Sequence, residues 1–389
     1  MGKKLVLAYS GGLDTSVAIK WLKGKGYSVI AYMADVGQGG DFKAIRSRAL
    51  KAGASKVIID DLREAFVKDF VYPALKANAV YESKYFLGTA LSRPIIAQGL
   101  VEAAKKEKAE FVAHGCTGKG NDQVRFEVSC AILEPTLTVI APVREWEFRS
   151  REEEIEYAKE NDIPVDVTKK SPYSIDKNLW GVSIECGALE DPWVEPPEEA
   201  YQLTRKAPKE KQPRYIEIHF DSGIPIELDG AYMEPVDLLN ELNTIGAEYG
   251  IGRSDLVENR LVGIKSREVY EAPAATVLVT AHKDLEALTL DREAAHFKDF
   301  IALKYAELIY YGLWYTPLKR ALDRFIDETQ QTVTGTIRMK LTPGSCITVG
   351  RKSRYSLYKE ALATYTAKDK FDQKLAKGFI EIWALPYKK

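Results

Sequence analysis

Cysteine is scarce in this chain: four residues in 389, at Cys116, Cys130, Cys186 and Cys346. No two form a C-x-x-C pair and none has a histidine at zinc-ligand spacing, so reduced thiols are expected rather than a disulfide frame or a zinc site. Histidine is as rare, and His114, His219, His282 and His296 are too scattered to suggest a metal site or a catalytic triad. No apolar run approaches the roughly 20 residues that cross a bilayer, so no membrane partner is expected. The first apolar stretch, residues 5–10, is too short for a signal-peptide core and runs into glycines and an acid, which points to a cytoplasmic protein. Charge of one sign is missing too. The net charge of -1 gives no global basic field to gather nucleic acid. Internal repeats and low-complexity tracts are absent.

What is there is a globular composition, 46% hydrophobic and 29% charged, which excludes a disordered chain. At roughly 100–200 residues per domain, the length predicts two domains and a tail. Apolar runs at 4–9, 27–34, 56–60, 110–114 and 137–141 read as strands. Helical patterns at 13–22, 42–52 and 94–106 lie between them. This alternation predicts an α/β domain over residues 1–165 with a doubly wound parallel sheet, and continuous rather than alternating apolar strands agree with burial on both faces. After about residue 165 the pattern becomes α+β, with strands at 215–220, 333–341 and 347–351 and helices at 235–249 and 291–311. The proline-rich residues 191–213 read as a long surface excursion. A second domain is expected over 166–365. Residues 366–389 form a tail whose Phe371, Leu375, Phe379, Ile382 and Trp383 share one face of a C-terminal helix.

The loop after the first strand, Ser10-Gly11-Gly12-Leu13-Asp14-Thr15-Ser16, carries the first chemistry. Its glycines let the backbone turn and approach an anion. The amides at the start of the next helix point at that anion, and the helix dipole favours negative charge there. Asp14 is an odd neighbour for phosphate unless it orients loop amides or meets a Mg2+ ion, and no structural partner for it is evident. The lysine and glycine spacing of G-x-x-x-x-G-K-[ST] are missing, and a bare Ser-Gly-Gly could be only a helix cap after a tight turn. The full string resembles the pyrophosphate loop of the N-type ATP pyrophosphatases, which cleave ATP between its α and β phosphates.

A second string, residues 115–127, follows the fourth strand with three glycines, Lys119, Asn121, Asp122 and Arg125. Arginine suits a two-pronged grip on a carboxylate. Its bland alternative is a solvated loop entering a helix. Residues 85–94 precede another helix. Taken singly, Tyr85 reads as core, Arg93 as a surface charge, Ser174 and Ser183 as loop hydroxyls, and the charge-dense strings 258–260 and 265–271 as solvated faces.

Together these strings resemble the argininosuccinate synthase family along the whole chain. The carriers are AYSGGLDTS at 8–16, ADVGQG at 34–39, HGCTGKGNDQVRFE at 114–127, SPYSIDKNLWG at 171–181, LEDPW at 189–193, VENRLVGIKSREVYE at 257–271, LTLDRE at 288–293, KYAELIYYGLWYTP at 304–317 and FDQKLAKGFI at 371–380. The resemblance implies a nucleotide-binding domain, a synthetase domain and a C-terminal arm in a homotetramer. It implies ATP, citrulline and aspartate as substrates and argininosuccinate, AMP and pyrophosphate as products. Ala8, Tyr9, Ser10, Gly11, Gly12, Leu13, Asp14, Thr15, Ser16, Ala34 and Gly115 would hold ATP. Tyr85, Asn121, Arg125, Ser174, Ser183, Glu258 and Tyr270 would hold citrulline, and Thr117, Asn121 and Asp122 aspartate. Many members have a citrulline-touching serine where this chain has Ala90, and Thr89 or Ser92 is the candidate replacement. The implied chemistry is attack of the ureido oxygen on the α phosphate. Asp14, the loop amides, Mg2+ and Lys119 would stabilise the departing pyrophosphate. The hydroxyls of residues 10–16 share in that stabilisation, and Asp14 takes part only by orienting the loop amides or meeting the Mg2+ ion. The aspartate amine then expels AMP, with Asp122 orienting or deprotonating it, or serving only as a helix cap. Two other readings stay open: a tRNA-modifying ATP pyrophosphatase, which would need a cysteine pair or glutaminase domain and a basic surface, and a non-catalytic nucleotide sensor.

Overall fold

The computed structural model describes residues 2–164 and 172–389; the expected boundary between residues 165 and 166, and Ser171, lie outside them. Five strands, β1 (Lys3–Ala8), β2 (Tyr27–Asp35), β3 (Lys56–Asp61), β4 (Phe111–Ala113) and β5 (Thr138–Ile140), form one all-parallel sheet. These are the five apolar runs of the sequence. Alternate residues of β1 explain why the run is continuous. Leu5 and Leu7 pack among Val17, Ile19, Leu22 and Ala49, which belong to helices α1 (Leu13–Gly24) and α2 (Phe42–Ala52) on one face. Val6 packs on the other face among Ala97, Leu100, Val101 and Cys130. A helical run covering α3 (Arg63–Phe66), a π-type turn (Val67–Val71) and α4 (Tyr72–Lys76) leads to α5 (Gly88–Glu107) and α6 (Asp122–Leu133) on that second face. Then come α7 (Pro142–Glu145) and α8 (Arg151–Glu160), which pack on α1.

α5 begins earlier than the expected residue 94, with Pro94 inside the helix. Proline usually marks the first turn because it lacks an N–H. Here burial of Ala90, Leu91 and Ser92 overrides that preference, and the Tyr85 hydroxyl accepts the Ala90 N–H at 3.1 Å. The strand order β3-β2-β1-β4-β5 places the topological switch between β1 and β4. Open parallel sheets bind ligands at that point, beyond the carboxyl ends of the strands.

The rest of the chain is α+β, as expected. It comprises β6 (Ser174–Asn178), β7 (Gly181–Glu185), β8 (Arg214–Asp221), β9 (Ile224–Leu228), β10 (Ala231–Tyr232), α9 (Pro235–Glu248), β11 (Arg253–Asn259), β12 (Lys265–Glu271), α10 (Pro273–Thr289), α11 (Arg292–Tyr310), α12 (Pro317–Gln330), β13 (Gly335–Thr342), β14 (Ser345–Lys352), α13 (Glu360–Ala363) and α14 (Leu375–Trp383). Two antiparallel sheets result, ordered β10-β9-β8-β13-β14 and β11-β12-β7-β6. The charge-dense strings read singly as solvated faces are the paired strands β11 and β12, with Glu258, Tyr270 and Glu271 buried. The excursion 191–213 is pinned rather than free. Glu271 takes the N–H groups of Gln202 and Thr204 at 2.6 and 2.7 Å and the Thr204 hydroxyl at 2.6 Å.

A buried polar knot ties α10, α11 and α12 to Asn78. Glu286 pairs with Lys298 at 2.9 Å and accepts from Asn78 Nδ2 at 2.6 Å and Gln330 Nε2 at 2.7 Å. His282 lies between Asn78 Oδ1 and Gln330 Oε1, 2.8 Å from each. Removing one partner of a buried ion pair leaves the other charge uncompensated. Glu286→Ala is therefore expected to cost about 3–5 kcal/mol of stability, read as a lower urea midpoint at unchanged m-value.

Candidate active site

A cavity of about 540 Å3 opens at the switch point, within the usual range for small-ligand sites. The loops after β1 and β4 form one wall. β6, β7, β11 and β12 contribute the opposite one.

The β1 loop is built to leave amides free. Gly11 has φ +83°, and a Cβ there would lie 2.8 Å from Ile45 Cγ2, so only glycine fits. Gly12 precedes α1 with no side-chain cap, so its first turn keeps unsatisfied N–H groups for a ligand. Ser10 Oγ meets Thr15 Oγ1 at 3.1 Å, and Tyr9 Oη meets Ser16 Oγ at 3.0 Å, bracing the loop from both sides. Gly115 brings the β4 loop against it, because a Cβ there would be 2.8 Å from Thr15 Cγ2. Ala8, Tyr9, Ser10, Thr15, Ala34 and Gly115 line the cavity. Gly11, Gly12, Leu13, Asp14 and Ser16 belong to the loop without lining the cavity. Asp14, which showed no partner in the sequence, has one: the Glu154 carboxyl of α8. Burial and then the Asp14 carboxylate push Glu154 up to about 8, so it carries a proton at neutral pH and can donate it to Asp14.

The second wall is a network of charges. Asp122, at the start of α6, accepts from Arg93 Nε at 2.9 Å and from Arg125 Nη1 at 2.8 Å. Arg93 also reaches Asp176 of β6. Arg125 gives Nε to the Tyr310 carbonyl at 2.9 Å, leaving Nη2 without a hydrogen-bond partner among the described residues. The free two-pronged fork expected of Arg125 is thus partly spent inside the protein. Asp122 differs from expectation as well. Burial raises its pKa, but Arg93 and Arg125 outweigh burial and hold it below the ordinary aspartate range, which makes it a poor base. It is not a side-chain cap either; both oxygens serve the arginines. Lys119 is exposed and lies outside the cavity lining, and its carbonyl accepts from Arg260 Nη1 at 3.3 Å.

Tyr85, Thr117, Asn121, Arg125, Ser174, Ser183, Glu258 and Tyr270 all line the cavity. Tyr85 stacks on Tyr270 at 4.1 Å, and its oxygen holds the Ala90 N–H, which leaves its proton free to donate. Ala90 is fully buried beneath the cavity, whereas Thr89 lines it and meets Ser183 Oγ at 2.7 Å. Ser92 is turned away onto the Thr89 carbonyl at 2.9 Å. Arg93, Asp176, Glu185, Arg260 and Glu268 also face the cavity. Arg260 and Glu268 sit in strings that read alone as solvated faces, Arg93 reads alone as a surface charge, Asp176 lies among residues read as loop hydroxyls, and Glu185 falls outside every string singled out in the sequence. Tyr310 was passed over inside an apolar helix, though its hydroxyl bonds Glu258.

The fold and these two walls define an α/β enzyme of the nucleotide-binding class, with a zwitterion-sized pocket facing its anion loop. Residues 4–164 match the family described as the arginosuccinate synthase N-terminal HUP domain, and residues 173–389 match its C-terminal domain. "Argininosuccinate synthase" of Carboxydothermus hydrogenoformans is 57% identical over 100% of this chain and 97% of that protein. Its namesakes from Halalkalibacterium halodurans and Bacillus licheniformis are each 58% identical over 99% of this chain, covering 94% and 96% of their own lengths. The chain belongs to the argininosuccinate synthase family. Among solved structures, a 4-thiouridine synthetase–RNA complex with bound ATP covers 41% of this chain and 40% of its own at 20% identity, with a TM-score of 0.31.

A carboxylate whose pKa is depressed on folding stabilises above its unfolded value near 4, and that contribution is lost as pH falls through the lower folded value. Asp122→Asn is expected to cost about 1–3 kcal/mol at pH 7. The gap between variant and wild type should narrow as urea titrations are carried from pH 7 down towards pH 3.

Proposed function

We propose that this chain joins citrulline and aspartate at the expense of ATP, giving argininosuccinate, AMP and pyrophosphate through a citrullyl-adenylate. One observation carries the reading: Ser10 and Thr15, at the uncapped start of α1, line the same cavity as the Arg93–Asp122–Arg125 and Glu258–Tyr270 groups. Anion-binding amides and a zwitterion pocket then share one reaction volume. In this reading Ala8 to Ser16, Ala34 and Gly115 hold ATP. Tyr85, Asn121, Arg125, Ser174, Ser183, Glu258 and Tyr270 hold citrulline, with Thr89 in place of the serine missing at Ala90. Thr117, Asn121 and Asp122 hold aspartate.

The citrulline ureido oxygen attacks the α phosphorus, and the α–β bond breaks. Charge develops on the pyrophosphate, which the α1 amides and the hydroxyls of Ser10 and Thr15 would stabilise. The aspartate amine then attacks the ureido carbon, and AMP leaves with that oxygen. No protein nucleophile is needed. Asp122 acts by fixing Arg93 and Arg125 rather than as a base, and Lys119 is left without a role in the chemistry. Mg2+ keeps several waters and takes one or two carboxylates besides phosphate oxygens. Asp14 and Glu154 together fit that need, because the two carboxyls are adjacent and Glu154 Oε2 is buried with no hydrogen-bond partner among the described residues. When bound, the ion would neutralise developing phosphate charge.

We further infer a nucleotide-binding domain over 1–165, a synthetase domain over 166–365 and an oligomerisation arm over 366–389, in a cytoplasmic homotetramer. The arm's support is α14, where Leu375, Phe379, Ile382 and Trp383 are all more than 60% exposed, an apolar face that a second copy of the chain would cover. The readings of a tRNA-modifying enzyme and a nucleotide sensor have no comparable observation behind them.

Citrulline- and aspartate-dependent AMP release is the direct test. With ATP, Mg2+ and citrulline alone, labelled pyrophosphate should exchange into ATP, and omission of citrulline should stop it. An exchange that needs aspartate would sink the adenylate order. Deleting residues 369–389 should lower the mass in solution before it lowers the unfolding midpoint; an unchanged mass would remove the arm from the assembly.

A further inference from the structure

Tyr270 has one hydroxyl proton and meets two carboxylates. Its oxygen is within hydrogen-bond reach of Glu258 Oε2 and lies 2.8 Å from Glu268 Oε2. One proton serves one acceptor, so the second contact is attractive only if a carboxyl brings its own. Tyr310 cannot supply it. The Leu261 N–H fixes Asn121 Oδ1 at 2.9 Å, so Asn121 Nδ2 donates to the Tyr310 oxygen at 2.9 Å, and the Tyr310 proton goes to Glu258 Oε1. The pair therefore holds one extra proton. Burial raises Glu258 as well as Glu268, but Glu258 also takes the Tyr310 proton on Oε1 and is favoured as a carboxylate by Arg125, so the proton is assigned to Glu268.

The groups around Glu268 agree. Glu185 faces it from β7 and Glu258 from β11, while Arg260, after β11, lies 3.2 Å from its Oε1 but is shared with Glu185. Arg125 of α6 acts on Glu258 rather than on Glu268. Burial first, then Glu258 and Glu185, push Glu268 up to about 8.

We propose that Glu268 is neutral in the ligand-free enzyme and gives its proton to solvent when the ammonium group of citrulline docks against Glu258 and Glu268. Citrulline binding and release of one proton are then a single event. An ammonium offers three donors and a full positive charge, so it replaces the proton between the carboxyls and lets both ionise. Glu268 thereby reads the charge of the ligand's amine. The inference rests on the citrulline reading above and goes beyond it.

The test is calorimetry on the enzyme saturated with α,β-methylene ATP, titrated with citrulline at pH 7 in phosphate and in Tris. The two heats should differ by about one proton's worth of buffer ionisation. Between pH 6 and 7.5 the apparent affinity should rise about tenfold for each pH unit. In Glu268→Gln citrulline should still bind, with no proton released and no pH slope. 5-Ureidopentanoate, which lacks the ammonium, should release none from the wild type. Equal heats in the two buffers, or proton release that survives in Glu268→Gln, would overturn the proposal while leaving the citrulline reading intact. Failure of citrulline to bind at all would remove that reading and this inference with it.

Discussion

Asp122 is the point on which the two halves of the site depend. Its carboxylate bridges Arg93 of α5 and Arg125 of α6, both on the second face of the parallel sheet. Arg93 then reaches Asp176 on β6, and Arg125 bonds the Tyr310 carbonyl at the end of α11. One half-buried ion cluster thus joins the nucleotide wall to the antiparallel wall. Isolated buried charges would be prohibitively costly, and alternation of sign along the chain Arg125, Asp122, Arg93, Asp176 is what makes the cluster affordable.

Three carboxyl groups, Asp122 and Glu268 at the cavity and Glu154 behind the β1 loop's Asp14, show how environment divides one chemistry. Asp122 sits between arginines and is held ionised. Glu154 is pressed against Asp14, and Glu268 against Glu258 and Glu185; both are pushed up to about 8. A carboxyl that keeps its proton can donate a hydrogen bond to a neighbouring carboxylate, so like charges coexist where neither could stand alone. The glycines act by a different constraint. Gly11 and Gly115 are needed because the chain passes within contact distance of Ile45 and Thr15, whereas a Cβ on Gly12 would meet only Ser10 Oγ, at 3.4 Å. The first two build the loop, and Gly12 leaves room in front of it.

Much of the parallel sheet was legible in advance. Its strands are buried on both faces and read as unbroken apolar runs, and the loops after β1 and β4 announce themselves by glycine. The start of α5 was not legible, because proline's local preference gave way to burial of the turn before it. Nor were β11 and β12. Their alternating charged residues look the same on a solvated strand as on one facing an enclosed cavity, and only pairing with β7 decides between them.

The sequence by itself determined the anion loop, the five strands of the parallel sheet with three of the helices between them, and the family. All of these are encoded in near-neighbour patterns. The tertiary structure alone decided the protonation and partnership of the charged groups: Asp122 as a bridge, Asp14 against Glu154, Lys119 outside the cavity, and Glu268 as the second acid of a pair. A side chain's charge state is set by what lies within a few ångströms of it, and decisive neighbours here, Arg93 for Asp122, Glu154 for Asp14 and Glu185 for Glu268, are far away along the chain.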